Sequence, residues 1–147
     1  MKNTTKFNEE QAVMDLLRSQ YSGFPPGRII PSESPDFVLQ TGRHYRIGIE
    51  ITRLTKGPVS ALLPSAQSNR FTLQDINYAM SRKEEKRTLY QKKRLNELWL
   101  VLVAGLDASS SAKLPANLNT IDKIPLTGFN KVFLIEMISR KVRLIQD

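Results

Sequence analysis

Asp36, directly after Pro35, and Glu50, inside an apolar run, stand fourteen residues apart in the segment ESPDFVLQTGRHYRIGIEITRL, residues 33–54. Two carboxylates brought together supply the hard oxygen ligands that, completed by water, hold a divalent cation such as Mg²⁺ or Mn²⁺. Asp after Pro is by itself an ordinary turn residue. Glu50 is the more informative of the two, because a carboxylate on a buried strand is costly unless it is paired, hydrogen-bonded or on a metal. Glu33 precedes the pair and reads as an exposed loop carboxylate or an outer supporting group.

The elements around the pair explain how it can meet. Asp36 to Leu39 and Tyr45 to Leu54 flank a turn near Gly42, so 36–54 reads as a β-hairpin that sets Asp36 close to opposite Glu50. In the second arm Ile47, Ile49 and Ile51 share one face and leave Gly48, Glu50 and Thr52 on the other. Before the hairpin, Val13, Leu16, Leu17 and Tyr21 mark an amphipathic helix over 6–21, with Thr4, Thr5 and Asn8 as possible caps; GFPPG ends it and a short strand follows at Ile29 and Ile30. Its stripe Phe7, Glu10, Val13 or Met14, Leu17 puts Glu10 on or beside the inward face, with Glu9 as the rival. Residues 55–71 form an irregular stretch, and a second helix runs from a Thr72 cap to about Leu95. Its stripe Leu73, Ile76, Met80 continues through Lys83, Arg87 and Tyr90, so Lys83 faces the sheet, with Lys86 at the edge of that face. The continuous apolar run 98–103 reads as a strand buried on both faces, with Trp99 in the core; a polar loop at 107–120 and strands at 132–138 and 142–145 complete the chain. This order suits one α/β domain over residues 1–147, with a mixed sheet.

Pro35-Asp36 followed by Glu50-Ile51-Thr52 resembles the PD-(D/E)XK nuclease superfamily in its first three defining residues and in the order strand, strand, helix. The fourth position departs, because Thr52 stands where the pattern has lysine. The resemblance implies a restriction-endonuclease-like sandwich, a central mixed β-sheet flanked by helices. It also implies metal-dependent hydrolysis of phosphodiesters in nucleic acid, most naturally DNA, with Mg²⁺ or Mn²⁺ held by Asp36, Glu50 and the backbone carbonyl of Ile51. The superfamily tolerates a lysine displaced to the following helix, a part open here to Lys83 or Lys86, and often carries an acidic residue on the first helix, here Glu10 or Glu9. With Thr52 in the lysine position, the alternative is a nuclease-like module that has lost its chemistry and binds nucleic acid or a protein partner.

Charge agrees with such a partner: 22 Lys and Arg against 14 Asp and Glu give a net charge of +8, which attracts polyanions. The run RKEEKRTLYQKKR at 82–94 gathers Arg82, Lys86, Arg87, Lys92, Lys93 and Arg94 as a face suited to touching phosphate without reading sequence. His44, the only histidine, sits beside the hairpin turn and reads as a surface residue. No cysteine is present, which excludes disulfides, thiolate zinc sites and a cysteine nucleophile and suits a reducing cytoplasm. No run approaches the ~18 apolar residues of a membrane span, and the amino terminus lacks an apolar signal segment, so a soluble, unprocessed protein is expected, with a homodimer possible.

Overall fold

The computed structural model describes residues 4–55, 70–91, 94–106, 113–115 and 127–147. Helix α1 (Thr4–Gln20) precedes strands β1 (Arg28–Pro31), β2 (Phe37–Gln40) and β3 (Arg46–Arg53); helix α2 (Leu73–Gln91) precedes β4 (Glu97–Ala104), β5 (Lys131–Glu136) and β6 (Lys141–Gln146). The six strands form one open sheet in the order β1-β2-β3-β4-β5-β6. The β3-β4 and β4-β5 pairs are parallel and the other three antiparallel. The chain is therefore α/β with a mixed sheet, as its element order implied. Most of the irregular stretch at 55–71 and of the polar loop at 107–120 lies outside the described residues, as do Lys92 and Lys93.

Alternation along the strands divides the core between the two helices. Ile47, Ile49 and Ile51 of β3 join Trp99, Val101 and Val103 of β4 against Val13, Met14, Leu16 and Leu17 of α1. Leu98, Leu100 and Leu102 point the opposite way and pack with Ile76, Met80 and Tyr90 of α2. Each helix thus buries one stripe on one face of a sheet whose central strand β4 is covered on both. Trp99 is 1 % exposed and has Tyr21, Phe24 and Phe133 as ring neighbours.

Local signals set the helix boundaries. At the start of α2 the Thr72 amide donates to Asp75 Oδ2 at 2.9 Å and the Asp75 amide donates to Thr72 Oγ1 at 3.2 Å. This reciprocal cap satisfies two amides that the helix leaves without partners. Asn8 lies inside α1, which already begins at Thr4, and so does not cap it. No helix among the described residues is long and apolar enough to cross a membrane.

Candidate active site

The register of the β2-β3 hairpin pairs Phe37 with Ile49 and Val38 with Gly48, which sets Asp36, one step further out, opposite Glu50. Directly opposed residues of an antiparallel pair share a face. That face is the one turned to α2, as expected from the alternation of β3. Gly48 belongs to it as well, and a Cβ there would come within 2.5 Å of Leu95 Cδ1 and 2.8 Å of Pro35 Cγ. The glycine lets Pro35, and with it Asp36, lie close against β3.

Asp36 and Glu50 are 5 % and 6 % exposed. Asp36 Oδ2 accepts a hydrogen bond from the Ile51 amide at 2.8 Å. Its carboxyl also hydrogen-bonds the side chains of Glu50 and Glu10, so the residue from α1 joins the pair from the hairpin. Glu10 is 3 % exposed, whereas Glu9 sits at the rim with Oε2 3.0 Å from Arg53 Nη2. From α2, Lys83 Nζ lies 3.0 Å from Glu50 Oε2, and the Tyr90 hydroxyl donates to the same oxygen at 2.5 Å. Lys86 is exposed. The helix therefore turns Lys83, rather than Lys86, toward the carboxylates.

Electrostatics follow from this crowding. Burial, then the hydrogen bond and charge of Asp36, push Glu50 up to about 7 despite the opposing Lys83 ammonium. Burial likewise raises Asp36, although the contact with Glu50 pulls it the other way. Two buried carboxyl groups side by side resist ionising together; within the pair the contact raises Glu50 and lowers Asp36. Burial and the Glu50 carboxyl raise Tyr90, which keeps the phenol protonated as a donor.

A cleft of about 440 Å³ opens beside this cluster, bordered by Lys6, Glu10, Ile51, Thr52, Arg53 and Lys83 among others. Compared with family models, with curated proteins and with solved structures, the chain finds no match. The chemistry of the site therefore has to be argued from its own residues. Lys83, Arg53 and Lys6 border the cleft together with Glu9, which pairs with Arg53. The donor set of Asp36, Glu50 and Glu10 is all hard oxygen, which fits Mg²⁺ or Mn²⁺ and not a soft metal. No group of three or more His, Cys, Asp and Glu among the described residues is already arranged as a ligand set; Glu50 Oε2 is instead engaged by Lys83 and Tyr90. Thr52, two residues beyond Glu50 on β3, supplies no cation, and its buried Oγ1 has no hydrogen-bond partner among the described residues.

Of the residues expected to touch phosphate, Arg82, Lys86 and Arg87 lie on α2 and Arg94 follows it. Arg82 is exposed and lies over the Tyr78 ring at 5.7 Å; Arg87 Nε pairs with Glu84 at 2.9 Å; Arg94 is exposed with a left-handed φ of 56°. Ile51 enters the cluster through its amide. Tyr90 escaped the sequence reading as a site residue, although it lies seven residues, or two turns, beyond Lys83 on the same face of α2. Lys6 and Arg53 also escaped it, because only the fold brings the start of α1 to the end of β3.

Proposed function

We propose that the protein is a metal-dependent phosphodiesterase acting on nucleic acid, DNA in the first instance, with a restriction-endonuclease-like arrangement of its elements. The observation that carries this reading is the convergence of Asp36, Glu50 and Glu10 with Lys83 at 3.0 Å from Glu50, beside a cleft bordered by charged side chains of both signs. A structural role alone leaves the cost of burying several carboxyl groups in one place unexplained.

Asp36, Glu50 and Glu10 would hold Mg²⁺ or Mn²⁺, with the Ile51 carbonyl as a further oxygen. Such an ion, when bound, supplies an activated water and offsets phosphate charge. The protein's own groups do the rest. Lys83 gives up its bond to Glu50 and turns its ammonium to the oxygens on which charge builds during displacement, the part the missing motif lysine would have played. Tyr90 keeps its hydrogen bond to Glu50 and fixes the carboxylate's direction. Arg53, exchanging its pair with Glu9 for phosphate, and Lys6 at the rim hold the flanking phosphates. A reducing cytoplasm suits the cysteine-free chain.

The test is cleavage of supercoiled and linear DNA in Mg²⁺ or Mn²⁺, run beside Asp36→Ala and Glu50→Ala to exclude a contaminating nuclease. The expected result is cleavage that both substitutions abolish while DNA affinity is kept. Thr52 favours a second reading, a nuclease-like module without chemistry. Binding by the wild type with no cleavage in either metal would establish that reading and reject the first.

A further inference from the structure

A second cleft, of about 890 Å³, is bordered by the end of β5, the β5-β6 turn and the segments around Arg70 and Leu114. Its size would admit a small molecule, but small-molecule sites are mostly apolar and this one is edged by Arg70, Lys113, Arg140, Lys141 and Arg143. Among the described residues the one carboxylate on its border, Glu136, is committed to holding the walls. Glu136 Oε2 accepts from the Leu114 amide at 2.7 Å and Oε1 from the Ser139 hydroxyl at 2.7 Å. Arg70 braces the same segment through the Leu114 carbonyl at 2.7 Å, and the Phe71 amide donates to the Lys113 carbonyl at 2.9 Å. Lys113, Arg140, Lys141 and Arg143 are exposed and make no ion pair among the described residues. A hydrogen-bonded frame thus presents a row of cations that make no ion pair among the described residues.

The position of this row relative to the carboxylates gives it meaning. Strands β3, β4 and β5 are parallel, so Arg53 at the carboxylate cleft and Glu136 at the second cleft lie at the same end of the sheet. From β3 to β6 there are three strand-to-strand steps, or ~14 Å at the usual spacing. The major groove of duplex DNA is ~12 Å wide.

We propose that the second cleft is a phosphate-binding surface for duplex nucleic acid, holding a backbone about one groove away from the strand that lies in the carboxylate cleft. The proposal rests on the nucleic-acid half of the function argued above, and it does not require cleavage. Contacts of this kind fix the register of a duplex on the protein and carry no sequence information.

The test is fluorescence anisotropy of a labelled duplex in EDTA, titrated with salt. In Arg140→Asn/Arg143→Gln the asparagine tolerates the left-handed φ of 57° at residue 140. Lys141→Gln/Arg143→Gln leaves that turn untouched, and Arg28→Gln/Arg43→Gln removes equal charge at the opposite end of the sheet. Far-UV circular dichroism confirms that each variant is folded. The two cleft variants should bind about tenfold more weakly, with the slope of log affinity against log salt reduced by about 2, while the distant control stays within about twofold. Equal losses in all three, or no loss in the cleft variants, would overturn the proposal. A polyglutamate peptide that binds as tightly as the duplex and is lost in the same variants would assign the cleft to an acidic protein and also overturn it. The two readings fail separately: a wild type that cleaves DNA with the cleft variants binding normally rejects only this surface, and binding lost in those variants without any cleavage rejects only the nuclease.

Discussion

On the side of β3 turned to α1, Ile47, Ile49 and Ile51 pack into a continuous apolar core, while on the side turned to α2 the alternating residues are Gly48, Glu50 and Thr52. The neighbouring strand β4 treats both sides alike, with Trp99, Val101 and Val103 on one and Leu98, Leu100 and Leu102 on the other. Packing alone would therefore have accepted leucine where Glu50 stands. The contrast separates residues that hold the sheet together from residues that the sheet holds in place. One face contributes stability through burial; the other gives some up to keep a glycine, a carboxyl and a hydroxyl without a partner among the described residues.

Substitutions along this one strand sharpen the contrast. Ile49→Ala, on the α1 face, should cost about 3–4 kcal/mol in urea unfolding, because Ile49 is 0 % exposed and its removal leaves a cavity. Glu50→Gln should act in the opposite sense and depend on pH. Glu50 moves from 4.5 to about 7 on folding, so between those values the folded chain binds more protons than the unfolded one. Its contribution is fully present below about pH 4.5 and is lost as pH rises through about 7. The glutamine variant, which cannot ionise, should gain on the wild type by up to about 3 kcal/mol as pH is raised from 5 to 8. Melting temperatures across that range measure it, and a difference that does not change with pH would contradict the account. The raised Asp36 works in the same direction.

Gly48→Ala tests the packing that brings Asp36 in. The added methyl must displace the Pro35 ring or the tips of Leu95 and Leu98, at about 1–3 kcal/mol. Loss of metal-dependent cleavage beyond what stability explains would show that Pro35 moved and took Asp36 with it. The smallest effect belongs to Thr52→Val, which removes the buried hydroxyl that has no partner among the described residues. Stability should rise by about 0.5–1 kcal/mol in the same urea experiment.

How much of this was legible in the sequence varies with distance along the chain. The hairpin could be read because its turn and its alternation are local, and they fix Asp36 opposite Glu50. Lys83 could be read because a helical stripe carries its phase forward from Ile76 and Met80. Tyr90 lay on the same stripe but resembled any core aromatic, and only its 2.5 Å bond to Glu50 distinguishes it. The cationic borders were hidden for a different reason. Lys6 and Arg53, or Arg70, Lys113 and Arg143, come to one border only through the tertiary fold, whereas the dense run at 82–94 drew attention by composition and places Arg82 and Arg87 in local contacts with Tyr78 and Glu84.

The central claim is that the carboxyl cluster, which Lys83 and Tyr90 engage through Glu50, is a divalent-cation site. Isothermal titration of the protein with Mn²⁺ at a series of pH values, in buffers of different ionisation enthalpy, tests it most directly. Binding should strengthen as pH rises through about 7, where Glu50 loses its proton, with proton release that fades above that value. Glu50→Gln and Asp36→Asn should each abolish it. Mn²⁺ binding that is absent at pH 8, or that persists unchanged in both variants, would contradict the account.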